Sequence, residues 1–235
     1  IKTIEEATNL KKETREQLKK DFSFQNITIT SVEEGEGVKK YLFTLNDQEH
    51  IEAVLMYHDY GLSLCISSQV GCNMGCAFCE SGRRKKVRNL TTGEMVEQIL
   101  QIEESCGERI RHVVVMGIGE PFDNYDNVCK MIQIINHPKG LNIGARHITV
   151  STCGIVPKIR EFSDFPYQVN LAVSLHAPND TLRKALMPIA KVYPLKELME
   201  ALEEYEKKTS RRLTFEYILL KDVNDKEEQA RELVS

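Results

Sequence analysis

The chain has 235 residues, 41% of them hydrophobic, and a formal net charge of -4. That is enough apolar material for one main domain with a small appendage, and the acidic balance excludes a globally basic nucleic-acid binder, so any RNA contact has to come from a local patch. No apolar run is long enough to cross a bilayer, and the opening Ile1-Lys-Thr-Ile-Glu-Glu6 lacks the pattern of a signal peptide. A cytoplasmic protein without membrane contact is expected, and a monomer. Seven cysteines, three of them within residues 72–79, argue for metal or redox chemistry in a reducing compartment rather than for a secreted disulfide framework.

Residues 1–22 read as a charged helix, the tail of a preceding region. From Ile27 the period changes to two, with strands at 27–30, 38–45 and 51–58 separated by Glu34-Gly-Glu-Gly37 and Asn46-Asp-Gln48, which predicts a small antiparallel meander over 23–60. A short strand at 62–67 enters the cysteine loop. From there strand and helix alternate. A helix over 92–105 opens with Thr91 and Glu94 in capping-box spacing, and an apolar strand at 112–116 follows, as befits a strand covered on both faces. Next come a helix near 124–136, a strand at 147–151, a short helix after Pro157 and a strand at 168–174. A helix at 195–208, a strand at 213–219 and the start of a helix after Asn224 complete the order. Such alternation predicts parallel βα units in an α/β fold over 61–235. The chain ends within a helical pattern that has no cap, and is read as open at both ends.

The densest motif is Val70-Gly-Cys-Asn-Met-Gly-Cys-Ala-Phe-Cys79, a Cx3CxxC triplet. Iron-sulfur cubanes are usually held by four cysteines, so Cys72, Cys76 and Cys79 on one loop leave an iron open. A zinc site with Cys65 as fourth ligand and a disulfide knot are the alternatives for the same residues. In parallel βα architectures the reactive groups lie at the C-terminal ends of the strands. There the sequence places Met116-Gly-Ile-Gly-Glu-Pro121, Ser151-Thr-Cys-Gly154 and Ser174-Leu-His176. Gly117 and Gly119 allow close backbone approach, Glu120 can accept from an amino group, and the hydroxyls and His176 can meet a polar ligand. Each also has a plain reading as a turn, a helix N-cap or a core histidine.

The triplet, with Phe78 just before its last cysteine, resembles the radical S-adenosylmethionine (SAM) enzymes, which implies a [4Fe-4S] cluster whose open iron is chelated by SAM. The runs Cys65-Ile-Ser-Ser-Gln-Val-Gly-Cys72, Gly117-Ile-Gly-Glu-Pro121, Val150-Ser-Thr-Cys-Gly154 and Ser174-Leu-His-Ala-Pro-Asn179 together resemble the RlmN family. That resemblance implies a partial (β/α)6 barrel, incomplete here and short of one strand, carrying the small β appendage. It implies methylation of adenine C2 in 23S rRNA and certain tRNAs, with an electron donor such as flavodoxin or ferredoxin.

In that family one SAM methylates a cysteine near the C-terminus. A second is cleaved to a 5′-deoxyadenosyl radical that abstracts hydrogen from the methyl group, and the resulting carbon radical adds to the base. A second cysteine resolves the adduct by forming a disulfide. The resemblance assigns Cys65 as the resolving cysteine, Glu52 as proton acceptor, and Phe78, Gly119, Glu120, Ser151, Ser174, Leu175 and His176 to SAM. Read without it, Cys65 is a buried strand cysteine and Glu52 a solvent-facing carboxylate. Cys106 and Cys129 read as helix packing residues and Cys153 lies in a strand-end motif, so the methyl-accepting cysteine is expected outside this chain and turnover by these residues alone is not. Glu80, where a small residue is common, and Ala190, where asparagine is frequent, depart from the family. A C8-methylating relative of the Cfr type and a non-catalytic zinc-bearing RNA-binding module are the competing readings. Arg83, Arg84, Lys85, Lys86 and Arg88 follow the cysteine loop, either as a solvated face or as a grip on RNA phosphates.

Overall fold

The computed structural model describes residues 3–23 and 25–234. A 3-10 turn at Ile4–Glu6 precedes helix α1 (Lys12–Asp21). The helix expected over 1–22 is therefore divided, and its first two residues lie outside the described residues. Thr8 and Asn9 occupy the break, as residues that compete for turn conformations should, while Ile4 and Ala7 are buried and anchor the segment.

Strands β1 (Ile27–Gly35), β2 (Val38–Leu45) and β3 (His50–His58) form the antiparallel meander. Strand β1 runs beyond the expected Thr30 because a register shift between Ile29 and Ser31 carries its pairing on to Gly35. Strand β4 (Gly61–Cys65) pairs antiparallel with β3 on one side. The two-residue strands β5 (Gln69–Val70) and β6 (Arg88–Asn89) pair with each other and close the base of the cysteine loop. Helix α2 (Thr92–Cys106) has the capping box: Glu94 N–H donates to Thr91 Oγ1 at 3.2 Å, and Thr91 N–H donates to Glu94 Oε2 at 2.8 Å.

The remaining elements alternate: β7 (Ile110–Val115), α3 (Tyr125–Asn136), β8 (Ile148–Thr152), α4 (Val156–Phe162), β9 (Asn170–Ser174), α5 (Asp180–Leu186), α6 (Leu195–Thr209), β10 (Leu213–Glu216) and α7 (Glu227–Leu233). Helix α5 is absent from the sequence reading. It has only seven residues, and its local signal is Asn179, whose Oδ1 accepts from Leu182 N–H at 2.9 Å. The strand expected over 213–219 stops at Glu216. The residues beyond it are drawn into a loop by Asn224, whose Oδ1 accepts from Leu220 N–H at 2.7 Å.

Strands β4, β7, β8, β9 and β10 pair in parallel, in that order. These are the five strands expected of the incomplete barrel. The meander is not separate from them, because β3 bonds to β4 and a single eight-stranded sheet runs from β1 to β10. One face of that sheet is apolar: Leu55, Leu64, Val113, Ile148 and Leu171 are buried with Met95, Ile99, Val128, Ile159 and Leu198 of the helices. The other face is followed through the register, since directly paired residues share a face. Val54 lies opposite Cys65, Cys65 opposite Val114, Val114 opposite Thr149, and Ser174 opposite Glu216. Glu52, Cys65, Ser151, Ser174 and Glu216 consequently share that face.

Candidate active site

The loops following the parallel strands are fastened to one another at two glycines. Gly119 has φ +110°, and a Cβ there would come within 2.6 Å of Gln69 Cβ. At Gly117 a Cβ would lie 2.8 Å from the Ile66 carbonyl carbon. Any side chain would separate the loop after β7 from the loop after β4. Gln69, fully buried, locks the contact: its Oε1 accepts from Glu120 N–H at 2.8 Å and its Nε2 donates to Asp123 Oδ2 at 2.9 Å and to Asn89 Oδ1 at 2.8 Å.

Around this junction lies a cavity of about 220 Å³, lined by Cys72, Cys76 and Cys79 together with Phe78, Gly119, Glu120, Ser151, Ser174 and Glu216. It sits at the C-terminal ends of the strands, as expected for a parallel βα fold. Glu120 is enclosed, with Oε2 accepting from Cys153 N–H at 2.7 Å and Oε1 from Phe122 N–H at 3.0 Å. Burial pushes its carboxyl up and these N–H groups draw it back. Ser151 Oγ and Ser174 Oγ both donate to Glu216 Oε2, each at 3.0 Å. Glu216 was missed in the sequence because nothing local distinguishes a glutamate at a strand end; only the register brings it beside the two serines.

His176 adopts φ +55°, uncommon for a residue other than glycine. The bend is held by Asn224, whose Nδ2 donates to the His176 carbonyl at 2.8 Å. The His176 ring stands edge-on to Phe78, with centroids 4.6 Å apart. Its Nδ1 accepts from Ile218 N–H at 3.0 Å, which fixes the tautomer and leaves Nε2–H as the donor. Burial lowers its protonation constant, with Glu216 opposing and Arg183 adding to the shift. The folded value lies below the usual 6.5, so stability contributed by neutral His176 is present above that pH and lost on acidification. His176→Gln is therefore expected to lose less stability than the parent as the pH falls below 6.5. The imidazole resonances followed by NMR should titrate below the ordinary histidine range, and titration at or above it would contradict the geometry.

The three cysteine thiols fit a cluster. Burial pushes Cys76 up to about 12, and the neighbouring Cys72 and Cys79 push in the same direction. The sulfurs become thiolate ligands only where a cation displaces their protons. Among the described residues no three His, Cys, Asp or Glu side chains gather closely enough for a single ion. That speaks against a zinc ion held by these cysteines with Cys65, while three cysteine sulfurs on one cavity are the donor set an iron-sulfur body takes. Cys65 closes β4, and burial pushes its thiol up to about 11. Glu52, on the adjacent β3, lies 3.6 Å from Lys40 Nζ. Leu175 is buried and its N–H donates to the Glu216 carbonyl at 3.0 Å. Cys106 and Cys129 pack against the main core. Glu80 is exposed and faces Arg83, and Ala190 is buried in a 3-10 turn.

The basic run divides. Arg83, Arg84 and Lys85 are exposed. Lys86 Nζ instead binds Asp123 Oδ2 at 2.6 Å, and Arg88 donates through both terminal nitrogens to Glu94, at 2.9 and 2.7 Å, and through Nε to Asp47 at 2.5 Å. Arg83 and Arg84 also meet carboxylates, Glu80 at 3.2 Å and Glu49 at 3.8 Å, but their side chains stay exposed, whereas those of Lys86 and Arg88 are partly buried in their pairs; the first three residues are the ones open to a phosphate.

Comparison with known proteins agrees with this architecture. A profile described as "Radical SAM superfamily" matches residues 66–234. A protein of Listeria welshimeri named "Probable dual-specificity RNA methyltransferase RlmN" is 54% identical over the whole of this chain, which covers 66% of that relative. One of the same name from Spiroplasma citri is 51% identical over 99% of this chain and 69% of its own length. The chain thus spans about two thirds of the curated relatives it matches. Among solved structures, "Crystal Structure of a radical SAM methyltransferase from Sphaerobacter thermophilus" superposes with a TM-score of 0.93 at 42% identity, covering 98% of this chain and 69% of that one. With its cysteine triplet and strand-end loops gathered on one cavity, the chain belongs to the radical SAM superfamily and, within it, to the RlmN family.

Proposed function

We propose that this chain is the cofactor-binding part of an enzyme that methylates C2 of adenosine in 23S rRNA and in certain tRNAs. The observation that carries the reading is the convergence of three cysteine thiols, an enclosed carboxylate and two serine hydroxyls on one cavity at the strand ends. When bound, a [4Fe-4S] cluster supplies the electron that cleaves SAM, received from a donor such as flavodoxin or ferredoxin.

The residues present have distinct tasks. Cys72, Cys76 and Cys79 hold the cluster, and Phe78 flanks the adenine. Gly119 gives the backbone access beside which Glu120 accepts from the methionine amino group. Ser151 and Ser174 exchange their bonds to Glu216 for bonds to SAM, Leu175 supplies backbone beside them, and His176 donates through Nε2–H. Cys65, whose thiol burial keeps protonated, is the resolving cysteine, and Glu52 on the same sheet face is the proton acceptor. Adenine C2 is electron-poor and its hydrogen is not acidic, so a carbon radical is the suitable attacking species.

Electron paramagnetic resonance of the anaerobic, dithionite-reduced protein tests the reading. A four-iron signal that changes on adding SAM is expected; bound zinc without iron would overturn it in favour of a structural module. Product analysis with the complete protein should give 2-methyladenosine, and 8-methyladenosine would contradict the regiochemistry. For the basic segment, replacing Arg83, Arg84 and Lys85 together with alanine should weaken RNA binding. It should also flatten the salt dependence, by roughly 0.9 in log–log slope per phosphate contact on a duplex and about 0.7 on a single strand. Unchanged affinity and slope would show the segment to be a solvated face.

A further inference from the structure

Arg183 is the largest fully enclosed side chain among the described residues. It lies on α5, and its Nη2 donates to the Cys153 carbonyl at 2.8 Å and the Ser174 carbonyl at 3.3 Å, while Nε donates to the Leu175 carbonyl at 3.3 Å. Nη1 is buried without a partner. Arg183 forms no ion pair with any carboxylate among the described residues. The nearby Asp180 uses Oδ1 to accept from Leu195 N–H at 2.9 Å.

A buried guanidinium whose charge is answered only by carbonyl dipoles is costly, and such charges persist where a counter-charge is present. Burial works against the Arg183 charge, and Cys153, Asp180 and Cys76, the last of them in the cysteine triplet, work for it. The end of α5 is bonded to that loop, since the Leu186 carbonyl accepts from Ala77 N–H at 2.8 Å. Met74, Cys76 and Phe78 pack with Leu186 and Met187 in the same apolar cluster. The cation is therefore built into the wall that supports the triplet.

We propose that the cluster held by Cys72, Cys76 and Cys79 is the counter-charge of Arg183, and that Arg183 raises the cluster's reduction potential. This rests on the cofactor reading given under the proposed function. An iron-sulfur core held by thiolates is anionic and gains one further negative charge on reduction. The electron comes from the external reductant, and no bond to the protein is made or broken. A fixed buried cation favours the more negative state, and net charge and local hydrogen bonding are among the factors that set such potentials. Arg183 is thus a positioning residue with an electrostatic effect. Its fork ties the ends of β8 and β9 to α5 while its charge biases the redox equilibrium.

The test is a redox titration of anaerobically reconstituted protein monitored by electron paramagnetic resonance, comparing the parent with Arg183→Lys and Arg183→Gln. In Arg183→Gln the equilibrium constant for one-electron reduction is expected to fall about tenfold, a potential lower by about 59 mV, while Arg183→Lys stays near the parent. A purely structural role would leave the potential unmoved, so equal potentials in parent and Arg183→Gln at equal iron content would overturn the proposal. Should Arg183→Gln fail to fold, Arg183→Met replaces it as the neutral variant, and cluster loading should stabilise the parent and Arg183→Lys alike against thermal unfolding. Loading that stabilises Arg183→Lys no more than it does an Arg183-neutral variant would also overturn it. A parent that takes up no iron would instead overturn the cofactor reading itself.

Discussion

Cys76→Ala is expected to abolish iron uptake while leaving the stability of the metal-free protein within about 1 kcal/mol of the parent. The two halves of this result have different physical origins. Without metal, Cys76 is a thiol beside two others and is only partly buried. Truncating it removes one small sulfur from a cavity wall already open to a 220 Å³ space, so little packing is lost; large costs come from well-filled sites that cannot relax. With metal, the same sulfur is one of three ligands in a loop that offers no fourth, and two thiolates cannot retain a cubane. Anaerobic reconstitution with ferrous iron and sulfide, followed by iron analysis and thermal unfolding, reads both quantities. Iron retained by Cys76→Ala would remove this cysteine from the ligand set. A large loss of metal-free stability would show it to be a packing residue.

Gly119→Ala is expected to destabilise the fold by about 2–5 kcal/mol and to prevent SAM binding. The methyl group would enter a space already held by Gln69 Cβ, Cγ and backbone N, at 2.6, 2.8 and 2.9 Å, at a backbone φ of +110°. Relief requires moving Gln69, and Gln69 is bonded to Glu120, Asp123 and Asn89. Gly107 provides the contrast: it has φ +72° at the end of α2, but nothing lies within 4 Å of its would-be Cβ. Gly107→Ala should therefore cost only about 1 kcal/mol, from backbone conformation alone. Calorimetric unfolding of the two variants separates collision from strain. Equal destabilisation by both would mean that the loop junction is not tightly packed.

Features whose physics is local could be read from the chain. Thr91 and Glu94 cap α2 because the bonds that define the cap lie within four residues, and the cysteine triplet is a single loop. The alternation of β7 through β10 with helices follows from short apolar runs such as residues 113–115 within β7. What escaped notice is non-local. Gln69 is an unremarkable strand residue until the loop after β7 reaches it. Arg183 carries no local signal, and only the fold turns its side chain inward to the carbonyls of Cys153, Ser174 and Leu175 at the ends of β8 and β9. A strand over 213–219 is expected from the sequence, but Asn224, seven residues beyond Tyr217, accepts from the tyrosine hydroxyl through its carbonyl and bends the chain away. Lys86 and Arg88 look identical to their neighbours in sequence, and only the positions of Asp123, Asp47 and Glu94 set them apart.

The stretch 84–87 is laced to the opening of the cysteine loop. Cys72 N–H donates to the Arg84 carbonyl at 3.1 Å, Lys86 N–H to Asn73 Oδ1 at 3.0 Å, and Val87 N–H to the Val70 carbonyl at 2.8 Å. These bonds run in both directions between residues 70–73 and 84–87, so neither segment opens without the other, and the two form one unit of local unfolding. The Cys72 amide therefore exchanges with solvent deuterium only as fast as the Arg84 segment lifts away. Hydrogen exchange at that amide thus reports on the ordering of the basic segment, and a polyanion held by the exposed Arg84 and Lys85 side chains is expected to slow it.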